Sequence, residues 1–267
     1  MTSSPPLTPA GTPLDSREHQ LLVPPKPTLT PLIICFHGSG SNPLPSWDIL
    51  VAILSKTYRV LLYDRGPKNP SPEEDLPAMK AYLKSKGLES RYILVAHSYG
   101  GAFAKLFLHR HSQEVAGMVL VETGQEGGLS EKVRRELTKR CMLGDLPLVV
   151  IRGNSMIRQW KELEESEAAM ASATEEEKDR MKTRRAWLDA ADLEDEKLKK
   201  AQLGISKNGK YLCLPDCGHD VIRARPEVVA EEVRWVIEQV RFQKRKKCPA
   251  SEVSIWQTWK EFFWKRG

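Results

Sequence analysis

Long apolar runs are missing. Nowhere does the 267-residue chain hold the roughly 18 consecutive apolar residues that a membrane-spanning helix requires. The first thirty residues lack the basic start and apolar core of a secretory signal. A cytoplasmic location is therefore expected. Cysteine is scarce and odd in number: Cys35, Cys141, Cys213, Cys217 and Cys248. Such a set excludes a disulfide framework and fits a reducing compartment. Cys213 and Cys217 stand close to His219, but the C-x2-C spacing and a second pair are absent, so no metal site is expected. Internal repeats are absent too, which excludes a solenoid.

Charge excess is missing from most of the chain. The formal net charge is +6, yet residues 241–267 alone hold eight Lys/Arg against two Glu, which is the whole excess. The rest is formally neutral, so the basic global balance is no argument for a nucleic-acid partner.

What is present is an alternation of short apolar runs and helix-like segments, beginning after a Pro/Thr/Ser-rich stretch. Residues 1–20 are expected to be a disordered leader. The runs are Leu32–Phe36, Tyr58–Tyr63, Tyr92–Val95, Gly117–Val121, Leu146–Ile151 and Tyr211–Leu214. Helices are expected over Ser46–Ser55, Glu73–Lys86, Phe103–His111 and Pro226–Phe242; in the last, Val229, Val233, Val236 and Val240 form an apolar stripe. Strands alternating with helices predict an α/β fold with a mostly parallel sheet flanked by helices, occupying residues 21–242. A charged insertion, residues 154–205, precedes the last core strand and is expected to form two or three solvated helices roofing the site.

Ala96-His97-Ser98-Tyr99-Gly100-Gly101 lies between the run ending at Val95 and a helix-like stretch. Strand, sharp turn and helix with a serine at the apex resemble the nucleophile elbow of the α/β-hydrolase superfamily, G-x-S-x-G, with Ala96 one methyl away from the usual glycine. Epoxide hydrolases and haloalkane dehalogenases of that fold carry aspartate at the elbow; Ser98 points instead to acyl transfer. The superfamily's chain order is serine, acid, histidine, and His219, in Cys217-Gly218-His219-Asp220 after the last strand run, matches the histidine.

A serine hydroxyl needs such a base, and the base needs an orienting acid. The superfamily's common position for that acid reads Arg152-Gly153-Asn154-Ser155-Met156 and holds no carboxylate. Asp145 precedes its strand and belongs at the opposite sheet edge. Glu122, ending the strand after the elbow, is expected at the carboxyl-edge crevice and is assigned as the acid. The alternatives are an acid from elsewhere, or a Ser-His pair with only a backbone or amide partner. For the oxyanion, the resemblance implies the amides of Tyr99 and of Ser39 in His37-Gly38-Ser39-Gly40, with Gly38 and Gly40 allowing close substrate approach. Asp64 and Arg65 in Tyr63-Asp64-Arg65-Gly66 are expected to brace loops.

The expected activity is that of a cofactor-free serine hydrolase cleaving a small-molecule carboxylic ester through an acyl-enzyme. Thioesterase and acyltransferase chemistry use the same residues, and a non-catalytic binding protein of the same fold is the rival from another class. Residues 243–267 read as a basic aromatic tail. For the segment 241–267, contact with an anionic membrane surface stands against packing of Trp256, Trp259 and Phe263 onto the body, with nuclear targeting by the basic run as a further alternative.

Overall fold

In Leu32–Phe36 every side chain is buried, with Leu32, Ile34 and Phe36 in one apolar cluster and Ile33 and Cys35 in another. A strand apolar on both faces belongs inside a sheet covered by helices on both sides. The computed structural model describes residues 19–24, 31–40, 44–66, 70–88, 91–124, 127–169 and 174–247. It contains the seven strands β1 (Gln20–Leu22), β2 (Leu32–Phe36), β3 (Val60–Tyr63), β4 (Tyr92–His97), β5 (Val115–Val121), β6 (Gly144–Arg152) and β7 (Ser206–Cys213). They form one sheet in the order β1-β3-β2-β4-β5-β6-β7; β1 is antiparallel and the other pairings are parallel.

On one face pack α2 (Pro72–Ser85), α3 (Gly100–Arg110) and α4 (Glu131–Lys139), through Met79, Phe103, Phe107 and Leu137 among others. On the other lie α1 (Leu44–Ser55), the short α7 (Val221–Ala224) and α8 (Pro226–Lys247), which presents Val229, Val233, Val236 and Val240. The insertion forms α5 (Ile157–Ala168) and α6 (Glu175–Ala201). Their mutual ion pairs, Arg184–Glu162 and Arg185–Glu167, are solvent-facing.

Several boundaries differ from the sequence reading. Gln20 is not leader but the start of an edge strand, too short to show a pattern. Helix α4 lies in the connection read as short, and its core contact is only Val133 and Leu137. Strand β7 begins at Ser206, five residues before its apolar run. Helix α8 continues through Lys247, so residues 243–247 belong to it, and the Gln243 amide donates to the Asp145 carbonyl. Asp145 lies at the amino end of β6, away from the crevice. The leader up to residue 18 and the aromatic tail residues from 248 onward lie outside the described residues.

β2 has β3 on one side and β4 on the other, so the chain reverses its direction of travel across the sheet at this point. The loops after β2 and β4 therefore diverge over a crevice at the sheet's carboxyl edge, where such folds place ligands.

Candidate active site

Ser98 follows directly on β4 with φ of 50°, and Glu122 on β5 with φ of 52°. A left-handed backbone at a residue bearing a side chain costs about 1–2 kcal/mol. Each is held there by the neighbouring strand: the Ser98 N–H donates to Val121 O at 3.0 Å, and the Glu122 N–H to Ile151 O at 2.9 Å. Both side chains are thereby turned out of the sheet into the crevice. A turn this tight needs a glycine behind it. A Cβ on Gly100 would lie 2.2 Å from the Phe36 carbonyl oxygen. At Ala96 the methyl is accommodated in the core on the α3 face.

His219 reaches this point from the loop after β7. Ser98 Oγ and His219 Nε2 are 3.0 Å apart, and His219 Nδ1 lies 3.0 Å from Glu122 Oε2. A carboxylate only accepts, so Nδ1 carries the proton and Nε2 is free to accept from the serine hydroxyl. The His219 side chain is 48% exposed, whereas that of Glu122 is fully shielded, at 0%. The imidazole meets solvent and the carboxylate does not.

Glu122 has further donors. Gly153 N–H donates to Oε1 at 2.7 Å, and the Ser155 hydroxyl to Oε2 at 2.5 Å. Lys199 Nζ stands 3.8 Å from Oε1. Burial pushes the carboxyl's pKa up, but the His219 hydrogen bond, the Lys199 charge and the Ser155 and Gly153 bonds outweigh it and hold it at about 2. It is ionised at any physiological pH.

His97, beside the elbow serine, donates through Nε2 to the His219 backbone carbonyl at 2.9 Å, tying β4 to the histidine loop. Burial lowers its pKa below the usual histidine range, leaving a neutral ring in that role. Arg65, also buried, donates to the His37 carbonyl at 2.7 Å and to the Gly38 carbonyl, and stacks over Phe103. The two carbonyls are held from behind, which sets the orientation of the loop carrying Ser39.

Ser39, Ser98, Tyr99, Glu122 and His219 all line one cavity of about 810 Å³. Gly38 and Gly40, expected to touch substrate, do not line it. Gly38 lies behind the wall, where a Cβ would come within 3.3 Å of the Ser98 Cβ and 3.2 Å of His97 Nδ1, so its smallness lets the loop approach the elbow. The roof comes from α6, through Ala191, Glu194, Asp195, Leu198 and Lys199, with Met156 ahead of α5. Among the described residues no group of three or more His, Cys, Asp or Glu is placed to hold a metal ion.

The sequence reading did not pick out Ser155, His97 or Lys199. Ser155 was within view, since residues 152–156 follow the strand beside β5. Lys199 shows in the sequence an Asp at i−4 and a Glu at i−3, spacings common on solvated helices.

The model of the alpha/beta hydrolase family matches residues 33–232, which spans every residue of this constellation. The chain belongs to the alpha/beta hydrolase family. The chain is 24% identical over 275 residues to the probable transporter efuK of Hormonema carpetanum, covering 78% of this chain and 39% of that protein. It thus spans well under half the length of that relative. Its fold resembles those of a monoacylglycerol lipase from Paleococcus ferrophilus and a thermophilic esterase from Thermogutta terrifontis. The lipase gives a TM-score of 0.54 at 11% identity, over 84% of this chain and 99% of the other. The esterase gives 0.50 at 15% identity, over 84% and 93%. At such identities the likeness concerns the fold.

Proposed function

We propose that the protein hydrolyses a carboxylic ester by way of an acyl-enzyme on Ser98. The observation that carries this reading is the unbroken chain of hydrogen bonds from Ser98 through His219 to Glu122 along one cavity, with the carboxylate shielded from solvent.

In the first half-reaction His219 Nε2 takes the Ser98 proton as Oγ attacks the ester carbonyl carbon. The carbonyl oxygen becomes an oxyanion, received by the Tyr99 and Ser39 amides. Tyr99 adjoins the start of α3, whose positive dipole end favours negative charge there. The imidazolium, steadied by Glu122, then passes its proton to the departing alkoxide, which leaves as the alcohol. In the second half-reaction water gives a proton to His219 and attacks the acyl carbon, releasing the acid and regenerating Ser98. The half-exposed face of His219 admits that water.

A fluorophosphonate probe tests the nucleophile: wild type is labelled and Ser98→Ala is not. Folded wild type that takes no label overturns the reading in favour of a binding protein. For the acid, Glu122→Gln lowers kcat by roughly a hundredfold or more, since an amide no longer stabilises the imidazolium. Ser155→Asp added to that variant regains part of the loss, because Ser155 Oγ already stands 3.4 Å from His219 Nδ1. Near-normal turnover of Glu122→Gln removes Glu122 from the constellation.

A further inference from the structure

The mechanism uses Glu122 but not the charges behind it. Lys199 Nζ donates to Asp195 Oδ1 at 2.7 Å, and Asp195 Oδ2 accepts from Arg152 Nε at 2.8 Å. Arg152 also bonds Asp192, which lies nearer the surface. Glu122, Lys199, Asp195 and Arg152 form a ladder of alternating sign in which no side chain is more than 7% exposed. Burying four charges is expensive, and well-packed apolar residues often replace such ladders without loss of stability. An anchor for the roof alone does not call for them.

The ladder has a direction. Its foot, Arg152, belongs to the sheet; its middle, Asp195 and Lys199, to the roof helix α6; its end is the carboxylate that faces His219. Lys199 is the single member that touches both the roof and the proposed catalytic acid. It leaves Oε2 to His219 and Ser155 and stands by the other oxygen, Oε1.

We propose that Lys199 is a positioning residue through which the roof helix sets the charge balance of the Glu122 carboxylate. This rests on the reading of Glu122 as the orienting acid. With Lys199 seated, part of the Glu122 charge is compensated from behind, and less of it falls on the imidazole in front. Without the ammonium the full carboxylate charge falls on His219, which then holds its proton to higher pH. Removing Asp195 has the opposite sign, since Lys199 then loses its counterion on the far side and leans on Glu122 alone, while Arg152 keeps Asp192. Other ionisable groups face this point. His97 from β4 and Asp220 from the histidine loop are common to all variants, as is Glu194 at the cavity wall, so a change on substitution reads the ladder.

The experiment compares full-length wild type with Lys199→Met, Lys199→Arg and Asp195→Asn. One readout is the acidic limb of kcat/KM for a p-nitrophenyl ester. The other is the pH titration of the downfield NMR proton on His219 Nδ1, which needs no turnover. Lys199→Met is expected to move both midpoints up by about half a pH unit or more. Its kcat is expected to fall about tenfold, with KM within about twofold. Asp195→Asn is expected to move the midpoints down, and Lys199→Arg to keep them near wild type.

Midpoints that stay in place in both charge-removing variants, or that move the same way in both, overturn the proposal, because loosening of the roof has no reason to produce shifts of opposite sign. If wild type shows no ester turnover while the NMR midpoints move as stated, the ester reading fails and the coupling stands. If turnover is present and the midpoints do not move, the coupling fails alone.

Discussion

At Glu122 a buried charge is tolerated because each carboxylate oxygen has donors of its own, three hydrogen bonds and one ammonium in all. This has a consequence for acid stability. The carboxyl's pKa falls from the ordinary 4.5 to about 2 on folding, so the group adds stability that is complete above the unfolded value and is lost as pH falls from about 4.5 toward 2. The amount is about 3 kcal/mol. Chemical denaturation at pH 6 and at pH 3 checks it: the wild-type loss between the two shrinks in Glu122→Gln. An unchanged pH slope shows that the donors do not stabilise the ion.

Among the elements, the β4–α3 corner is the least forgiving. The Cβ that Gly100→Ala introduces meets the Phe36 backbone rather than a side chain that can turn away, so the strand or the helix must shift. A loss of about 3 kcal/mol or more is expected from urea unfolding, with weaker probe labelling of the molecules that remain folded. The same elements show what can be read from residues alone. β2, β4 and β5 are buried on both faces, so their sequences are apolar runs that cannot be mistaken for loops. β1 has three residues at a sheet edge, and β7 opens with Ser206-Lys207-Asn208-Gly209-Lys210, of mixed burial; neither shows a pattern. Ser98 and Glu122 were legible because each follows directly on a strand where the chain must turn, and His219 because it lies in the short loop between β7 and α7. Lys199 and Asp195 were not, because they lie in a helix dense in charge, and their burial comes from what β6 places opposite them.

For the whole molecule, the charge excess is placed differently from the sequence expectation. Five of the eight cationic residues of 241–267 fall within the last turns of α8, where positive charge complements the helix dipole, and only the remainder belongs to the segment beyond Lys247. No helix among the described residues is long and apolar enough to cross a membrane. Because the site lies wholly within residues 39–219, removing 248–267 is expected to leave fluorophosphonate labelling within about twofold of the full chain. A larger loss would show that those residues support the site. Sedimentation of both forms with anionic liposomes separates the two readings of the tail: pelleting of the full chain alone favours the membrane, equal behaviour favours packing on the body.

Glu122, the proposed acid, hangs from the end of β5, and the end of β6 is left to Arg152 and the roof. A designer wishing to change what the cavity accepts would naturally exchange residues 157–201 as a cassette, since the insertion leaves the sheet and returns to it at neighbouring strands. The ladder makes that graft conditional. A donor helix without an Asp–Lys pair in register with Arg152 and Glu122 would bring a new pocket and, with it, a sheet cation lacking a counterion and a carboxylate stripped of its rear support. In this chain the cavity roof and the support of Glu122 are inherited together.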